Sequence, residues 1–313
     1  MTAKVFIDGA AGTTGLEIAE RLAARRDITL VTLPDAHRKD AAARADALNG
    51  ADAVILCLPD DAAREAVSLI ENPAVRVIDA STAHRTAPDW AYGFAELEPD
   101  ARDIVAAATR ISNPGCYPTG FLALVRPLIR AGILPADIAL SINAVSGYSG
   151  GGKSMIAAFE DEGALDATDT AFRAYALGLG HKHVPEMQKR ARLEHPPIFL
   201  PSVAKAYRGM LVEVPLHLHL LPGRVGGAAI LEALRQSYAD SPIVQVVTEN
   251  PSFLTIEQSA GTDRLELFVY VNETLGQARL IATLDNLGKG AGGAAVQNLN
   301  IALGLNEIEG LIL

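Results

Sequence analysis

The sequence predicts an α/β protein: a Rossmann-type parallel sheet domain followed by an α+β, mainly antiparallel domain. Three observations predict it. Apolar strands alternate with helically spaced segments over residues 4–116, a glycine-punctuated turn follows the first strand, and period-two strands replace this texture after Thr119. At roughly 100–200 residues per domain, a chain of 313 residues has room for two cores.

The elements can be justified in order. Val5-Phe6-Ile7 is a short apolar run ending in glycines, and Leu16 to Ala24 has helical spacing. Strands are expected at 28–33, 53–58 and 75–80, with helices at 41–48 and 62–70 between them. Nearly continuous apolar strands separated by helices imply a parallel sheet covered on both faces, with ligands at the carboxyl ends of its strands. A helix at 119–131 and a strand at 138–146 lead into a long glycine-rich loop. Residues 210–220, 264–272 and 277–284 alternate apolar with polar, as in a sheet with one buried face. The segment 294–305 reads as a last amphipathic helix. The expected division is 1–116 with 286–313 as a dinucleotide-binding domain, and 117–285 as a catalytic and dimerisation domain.

Composition excludes several functions. The 37 acidic and 27 basic side chains give a net charge of −10, and no basic patch alternates with aromatics, which argues against nucleic-acid binding. No apolar run reaches the ~18 residues of a membrane span, and the first residues lack a signal-peptide pattern. Two cysteines, Cys57 and Cys116, cannot build a disulfide scaffold and fit a reducing cytoplasm.

Gly9, Gly12 and Gly15 lie between the first strand and the first helix, with Thr13 and Thr14 between the last two. Glycine permits the tight turn and lets backbone N–H groups approach a pyrophosphate at a helix N-terminus. The spacing G-x-x-G-x-x-G departs by one residue from the usual dinucleotide fingerprint. Asp35 is placed to hold a ribose 2′-hydroxyl, which favours NAD, whereas Arg38 and Lys39 would clamp a 2′-phosphate and favour NADP. A solvated helix start would explain the same polar residues.

A second glycine loop, Gly147 to Ser154, matches G-x-x-x-x-G-K-[ST] and follows an expected strand. A P-loop enzyme binding ATP is therefore an alternative, with Leu280 to Asp285 as its metal-binding strand. Against it, a complete βαβ series precedes the match. The other reading is a substrate or anion loop with Lys153 as its charge.

Asn113-Pro-Gly-Cys116-Tyr-Pro-Thr-Gly120 is the most informative stretch. Pro114 and Gly115 force a turn, so Cys116 stands at or just before a helix N-terminus, where a thiolate is stabilised. Cys57, inside an apolar strand, reads as an inert core filler. A nucleophilic thiolate needs a proton-transfer partner, and His181 or His183 in Gly-His-Lys-His-Val-Pro is the best placed. His37 and His195 fall in polar loops. His217 and His219, on one strand face with Glu213, read as surface or interface residues, and no metal site is expected.

This cysteine motif resembles the active-site signature of the N-acetyl-γ-glutamyl-phosphate reductase family, related to the aspartate-semialdehyde dehydrogenases. Gly9 to Gly15, Val145 to Gly152, Ala174 to Glu186, Tyr207-Arg208-Gly209 and Asp285 to Ala291 resemble it too, at the length of its short subtype. The resemblance implies NADP-dependent reduction of an acyl phosphate through a cysteine thioester, in arginine biosynthesis, by a cytoplasmic homo-oligomer (dimer or tetramer). It makes Cys116 the nucleophile and His181 the acid/base, with His183 as the alternative. Ser81, Asn286, Lys289 and Gly290 would join the first glycine loop at the cofactor. Arg85, Asn113, Ser146, Gly147, Ser149, Lys153, His183, Glu186 and Arg208 would meet the substrate. Many members of that family carry Asp-Phe-Arg where this chain has Ala83-His84-Arg85, which leaves the arginine in place. A semialdehyde dehydrogenase with an aspartyl or amino-adipyl substrate, or a non-catalytic NADP-binding regulator, are the competing readings.

Overall fold

The computed structural model describes residues 2–38, 40–223 and 225–313. Lys39 lies outside the described residues, as does the side chain of Asp35. The chain forms two compact units. The first comprises 1–95, 99–115 and 291–311, and the second 96–98, 116–290 and 312–313.

The first unit is built on six strands: β1 (Ala3–Asp8), β2 (Ile28–Val31), β3 (Ala53–Leu56), β4 (Arg76–Asp79), β5 (Ala91–Tyr92) and β6 (Arg110–Ser112). All its pairings are parallel, in the order β2-β1-β3-β4-β6-β5. Helices α1 (Thr13–Ala23), α2 (Ala41–Gly50), α3 (Asp60–Ser68) and α4 (Ala101–Ala107) join the strands. Alternate residues of the strands feed two cores. Val5, Ile7, Ala53, Ile55 and Ile78 pack with Ile18 and Leu22 of α1, while Phe6, Val54, Leu56 and Val77 pack with Leu48 of α2 and Ala63 of α3. A strand buried on both faces must be apolar at every position, which is why these strands read as unbroken runs. Asp40 caps α2 by accepting the Ala43 N–H at 2.8 Å, and Asp60 and Asp61 favour the start of α3.

The second unit centres on α5 (Cys116–Arg130) and a seven-stranded mixed sheet. Its strands are β7 (Ser141–Gly147), β8 (Phe172–Ala174), β9 (Ile198–Ala204), β10 (Met210–His217), β11 (Val244–Val246), β12 (Leu265–Asn272) and β13 (Gln277–Leu284). The order is β11-β12-β13-β10-β7-β9-β8, parallel at β11–β12 and β7–β9 and antiparallel elsewhere. Helices α6 (Gly152–Glu160), α7 (Val184–Ala191) and α8 (Gly227–Tyr238) complete it. Residues 138–140 precede β7 instead of joining it, and 218–220 turn as a 3-10 helix after β10.

Helix α5 is buried from Tyr117 to Leu128 and lies so close to the sheet that a Cβ at Gly120 would stand 2.9 Å from Val212. It starts at Cys116 and not at Thr119, because Pro118 falls in the first turn, where no helical partner waits for its missing N–H. Pro127 deprives the Ala123 carbonyl of a helical donor, and the Tyr238 hydroxyl fills that role at 2.9 Å. A single π turn at Gly288–Gly292 follows β13, and α9 (Gly293–Leu303) packs its Ala295, Val296 and Leu299 into the first unit's core.

Candidate active site

In the first unit, Gly9 ends β1 with φ +91°, and a Cβ there would stand 2.3 Å from the Cys57 carbonyl oxygen. Only glycine follows this path beside β3. The Gly12 N–H donates to the Gly9 carbonyl at 2.9 Å, and α1 begins at Thr13 without a side-chain cap or an acidic residue in its first turn. The helix dipole and first N–H groups therefore favour an anion, as a pyrophosphate requires. A cleft of about 600 Å³ adjoins this turn, walled by Gly9, Ala10, Thr32, Leu33 and Arg38. Its backbone cradle, its apolar walls and the Arg38 cation fit a phosphorylated dinucleotide.

In the second unit, Cys116 is the first residue of α5, half-buried, with no acidic residue in that turn. A thiolate at a helix N-terminus gains from the dipole. Tyr117 turns its ring toward His181, His183 and Phe199, at centroid distances of 6.3, 5.9 and 5.1 Å. Tyr175 leans on His181 at 5.9 Å, and its hydroxyl donates to the Tyr117 hydroxyl at 3.1 Å, which donates onward to the Ser202 carbonyl at 3.2 Å. Burial holds Tyr117 well above its usual pKa, and burial together with the Cys116 charge lifts Tyr175 to about 12. Both phenols stay protonated at neutral pH.

Half-buried His181 has its pKa lowered, first by burial and then by Lys182. His183 is buried, and its backbone N–H donates to His181 Nδ1 at 3.2 Å. The loop that delivers His181 contains Ala176 at φ +53° and Leu179 at φ +62°. Left-handed backbone at non-glycine residues costs about 1–3 kcal/mol each and collects at functional sites.

The second glycine loop is not a P-loop. The N–H groups of Gly147, Tyr148 and Ser149 donate to the carbonyls of Gly209, Ala206 and Tyr207, at 2.9, 2.8 and 3.0 Å. A phosphate cradle needs such groups for its anion. Strand β13 runs antiparallel to its neighbours, and Asp285 at its end accepts the Gly261, Leu287 and Gly288 N–H groups and pairs with Arg208 Nε at 2.6 Å. It is thus not a metal-binding acid. Asn286 accepts the Gly209 N–H and donates to Ser149 Oγ, both at 2.9 Å, tying loop 147–151 to Arg208. Ser146 is buried, its hydroxyl on the Gly147 carbonyl, and Lys153 is exposed on α6.

Residues 116–286 match the semialdehyde dehydrogenase, dimerisation domain family, and residues 4–104 match the semialdehyde dehydrogenase, NAD binding domain family. The chain is 52% identical to the N-acetyl-gamma-glutamyl-phosphate reductase of Trichormus variabilis over 98% of this chain and 99% of that protein. Identity to the Brucella ovis protein of the same name is also 52%, over 97% and 100%. The chain belongs to the N-acetyl-γ-glutamyl-phosphate reductase family, among the semialdehyde dehydrogenases. Its fold is shared with aspartate semialdehyde dehydrogenase II of Vibrio cholerae (TM-score 0.72, 15% identity, 97% of this chain and 99% of that one). The NADP complex of the Candida albicans aspartate semialdehyde dehydrogenase is similar as well (TM-score 0.67, 15% identity, 96% and 98%).

Several residues expected at ligands in this reductase-family chain are engaged by protein groups. The Asn113 amide donates to the Ala291 carbonyl at 3.0 Å and accepts from Asn298 at 2.9 Å. Buried Arg85 donates to the Asn113 and Ala80 carbonyls, and Ser81 bonds Asp79. His84 bonds Asp79 at 2.6 Å and stacks on Trp90 at 4.0 Å. Lys289 gives its ammonium to both oxygens of Glu96 at 3.0 and 2.9 Å, in a pair only 2–3% exposed. Gly290 lies against Cys116, and Glu186 is buried in the first turn of α7. Burial, with Asp79 and Asp8 nearby, lifts the Cys57 thiol to about 12, which makes it inert.

His217 and His219 have ring centroids 5.4 Å apart, while Glu213 is taken by Arg279. Among the described residues, no group of three or more metal-ligating side chains is gathered, and no helix is long and apolar enough to cross a membrane. Sequence reasoning missed Tyr117, Tyr175, Phe199 and Glu96. The tyrosines stand inside the quoted motifs, but nothing in their spacing marks them as one cluster.

Proposed function

We propose that this protein reduces N-acetyl-γ-glutamyl phosphate to N-acetyl-L-glutamate 5-semialdehyde and phosphate, with NADPH, as a step of arginine biosynthesis. The observation that carries the reading is Cys116 at the first position of α5, beside the His181 cluster, in a chain 52% identical to reductases of that name. The Cys116 thiolate attacks the acyl carbonyl, phosphate departs, and a thioester remains on sulfur. A covalent acyl-enzyme divides one difficult displacement into two easier ones. NADPH, when bound, supplies the hydride that converts the thioester to the aldehyde oxidation level. The N–H groups of α5 and the imidazole of His181, or of His183 if the pair is reversed, hold the negative oxygen that develops.

The roles follow from position. Gly9, Gly12, Thr13, Thr14, Gly15 and Arg38 hold the cofactor, Arg38 taking its 2′-phosphate. Arg208, aligned by Asp285, and the Ser149 loop, tied by Asn286, receive substrate anions, with Lys153 supplying charge from outside. Ser81, Arg85 and Asn113 order the carboxyl ends of the first unit's strands through their protein partners, and Lys289 supports Gly290 within the second unit. The enzyme works as a homo-oligomer through the sheet face that exposes Asn143, Ile198, Leu200 and Pro215, in the cytoplasm, where Cys116 stays reduced.

Cys116→Ser tests the reading: it abolishes turnover and leaves NADPH binding intact. A semialdehyde panel followed by NADPH absorbance, in the phosphate-dependent reverse direction, should single out the N-acetylglutamyl compound over aspartate semialdehyde. Preference for the shorter substrate would overturn the assignment.

A further inference from the structure

We infer that Asp8, held by Arg44, accepts a hydrogen bond from the 3′-hydroxyl of the cofactor's adenosine ribose. The inference rests on the proposed NADPH reading of the first unit's cleft and deepens it.

The end of β1 carries it. A parallel strand covered on both faces is apolar along its length, yet β1 finishes on a carboxylate that is only 6% exposed. Side chains alternate along a strand, so Asp8 shares the face of Phe6 and meets buried Arg44 of α2. Arg44 Nε and Nη2 both donate to Asp8 Oδ2, at 3.2 and 2.9 Å, while Glu65 stands 3.7 Å from Nη1. A guanidinium facing a carboxylate commonly divides two donors between the two oxygens. Here both fall on one oxygen. Among the described residues no donor reaches Asp8 Oδ1, which is left for the cleft that Asp8 lines beside Gly9. An acceptor in so dry a place costs stability unless a ligand's donor meets it.

The chemistry of the cleft selects that donor. Its described lining holds one acid, Asp8, and one base, Arg38. The adenosine ribose of NADPH bears the pyrophosphate on C5′ and the further phosphate on C2′. With the first at the start of α1 and the second on Arg38, the sugar spans the cleft next to Gly9. Its 3′-hydroxyl is then its one remaining donor. Arg44 also removes an obstacle. A bare carboxylate at the pyrophosphate turn would repel the phosphates, and the paired guanidinium offsets that charge.

Fluorescence titration of the intact enzyme with NADPH, NADH and the 3′-deoxy analogue of NADPH tests this. Wild type should bind the analogue about ten- to a hundredfold more weakly than NADPH, the share of one hydrogen bond to a charged acceptor. Equal affinity overturns the inference, and this comparison needs no variant to fold. Asp8→Ala combined with Arg44→Met strands no charge and should bind NADPH and the analogue alike. A pair with a merely structural role would weaken both ligands and keep their ratio, so a ratio that persists in the double variant overturns the inference. The double variant should also weaken NADH and NADPH by the same factor, because both carry the 3′-hydroxyl. Loss confined to NADPH would make Arg44 a clamp for the 2′-phosphate and overturn it. A wild type that binds no NADPH at all would overturn the cofactor reading itself, a result distinct from tight and equal binding of NADPH and the analogue.

Discussion

A methyl group on Gly290 would stand 2.9 Å from the Cβ of Cys116 and 2.9 Å from the Asp285 carbonyl oxygen. Cys116, the proposed nucleophile, thus rests directly on that glycine, and no side chain fits between them. Gly290→Ala must displace the first turn of α5 or the π turn that carries residue 290. A misplacement near 1 Å costs about 10²-fold in rate. Steady-state kinetics should show that loss in kcat, with the KM for NADPH little changed; undiminished kcat would mean that the contact has no bearing on the thiol.

Glu96 and Lys289 form an ion pair only 2–3% exposed, across 193 residues of chain. Removing one partner strands a buried charge, which costs about 3–5 kcal/mol. Glu96→Gln and Lys289→Met should each lower unfolding stability by that amount in urea titrations. The double replacement Glu96→Leu with Lys289→Met should recover most of the loss, because two apolar groups leave nothing unpaired.

The two domains were legible in the sequence to different degrees. Ala53 to Leu56 announces itself because it feeds the α1 core with Ala53 and Ile55 and the α2–α3 core with Val54 and Leu56. The Pro-Gly-Cys turn fixes the start of α5 to within three residues, since a proline in the first turn does not interrupt a helix. Strands β5, β8 and β11, of two or three residues each, carry no period to read. Lys289 and Asn113 were expected at ligands because a cation or an amide inside a site motif looks the same whether it faces substrate or protein. The partners that engage them, Glu96 and Asn298, lie far away in sequence and become visible only on folding.

Burial, and then Lys182, hold the His181 pKa below its ordinary 6.5. Between the native value and 6.5 the unfolded chain binds more protons, so this group makes stability fall as the pH drops below 6.5. Lys182→Met removes the smaller of the two causes. NMR titration of the His181 ring should show its midpoint rising toward 6.5 by a fraction of a unit; an unmoved midpoint would leave burial as the sole cause.

Arg38 lines the cleft beside Gly9, and the proposed reading gives it the 2′-phosphate that distinguishes NADPH from NADH. A hydrogen bond to a charged group contributes about 1.5–3 kcal/mol, or roughly tenfold to a hundredfold in binding. Fluorescence titration of Arg38→Ala should show NADPH weakened by at least tenfold and NADH unchanged. Equal weakening of both would place the arginine at the shared pyrophosphate.

Intact-mass spectrometry of the enzyme incubated with N-acetyl-γ-glutamyl phosphate, without NADPH, tests the central claim most directly. The account predicts a single N-acetylglutamyl adduct on Cys116, released by hydroxylamine, discharged as semialdehyde when NADPH is added, and absent from Cys116→Ser. Turnover at the normal rate with no adduct on that sulfur would contradict it.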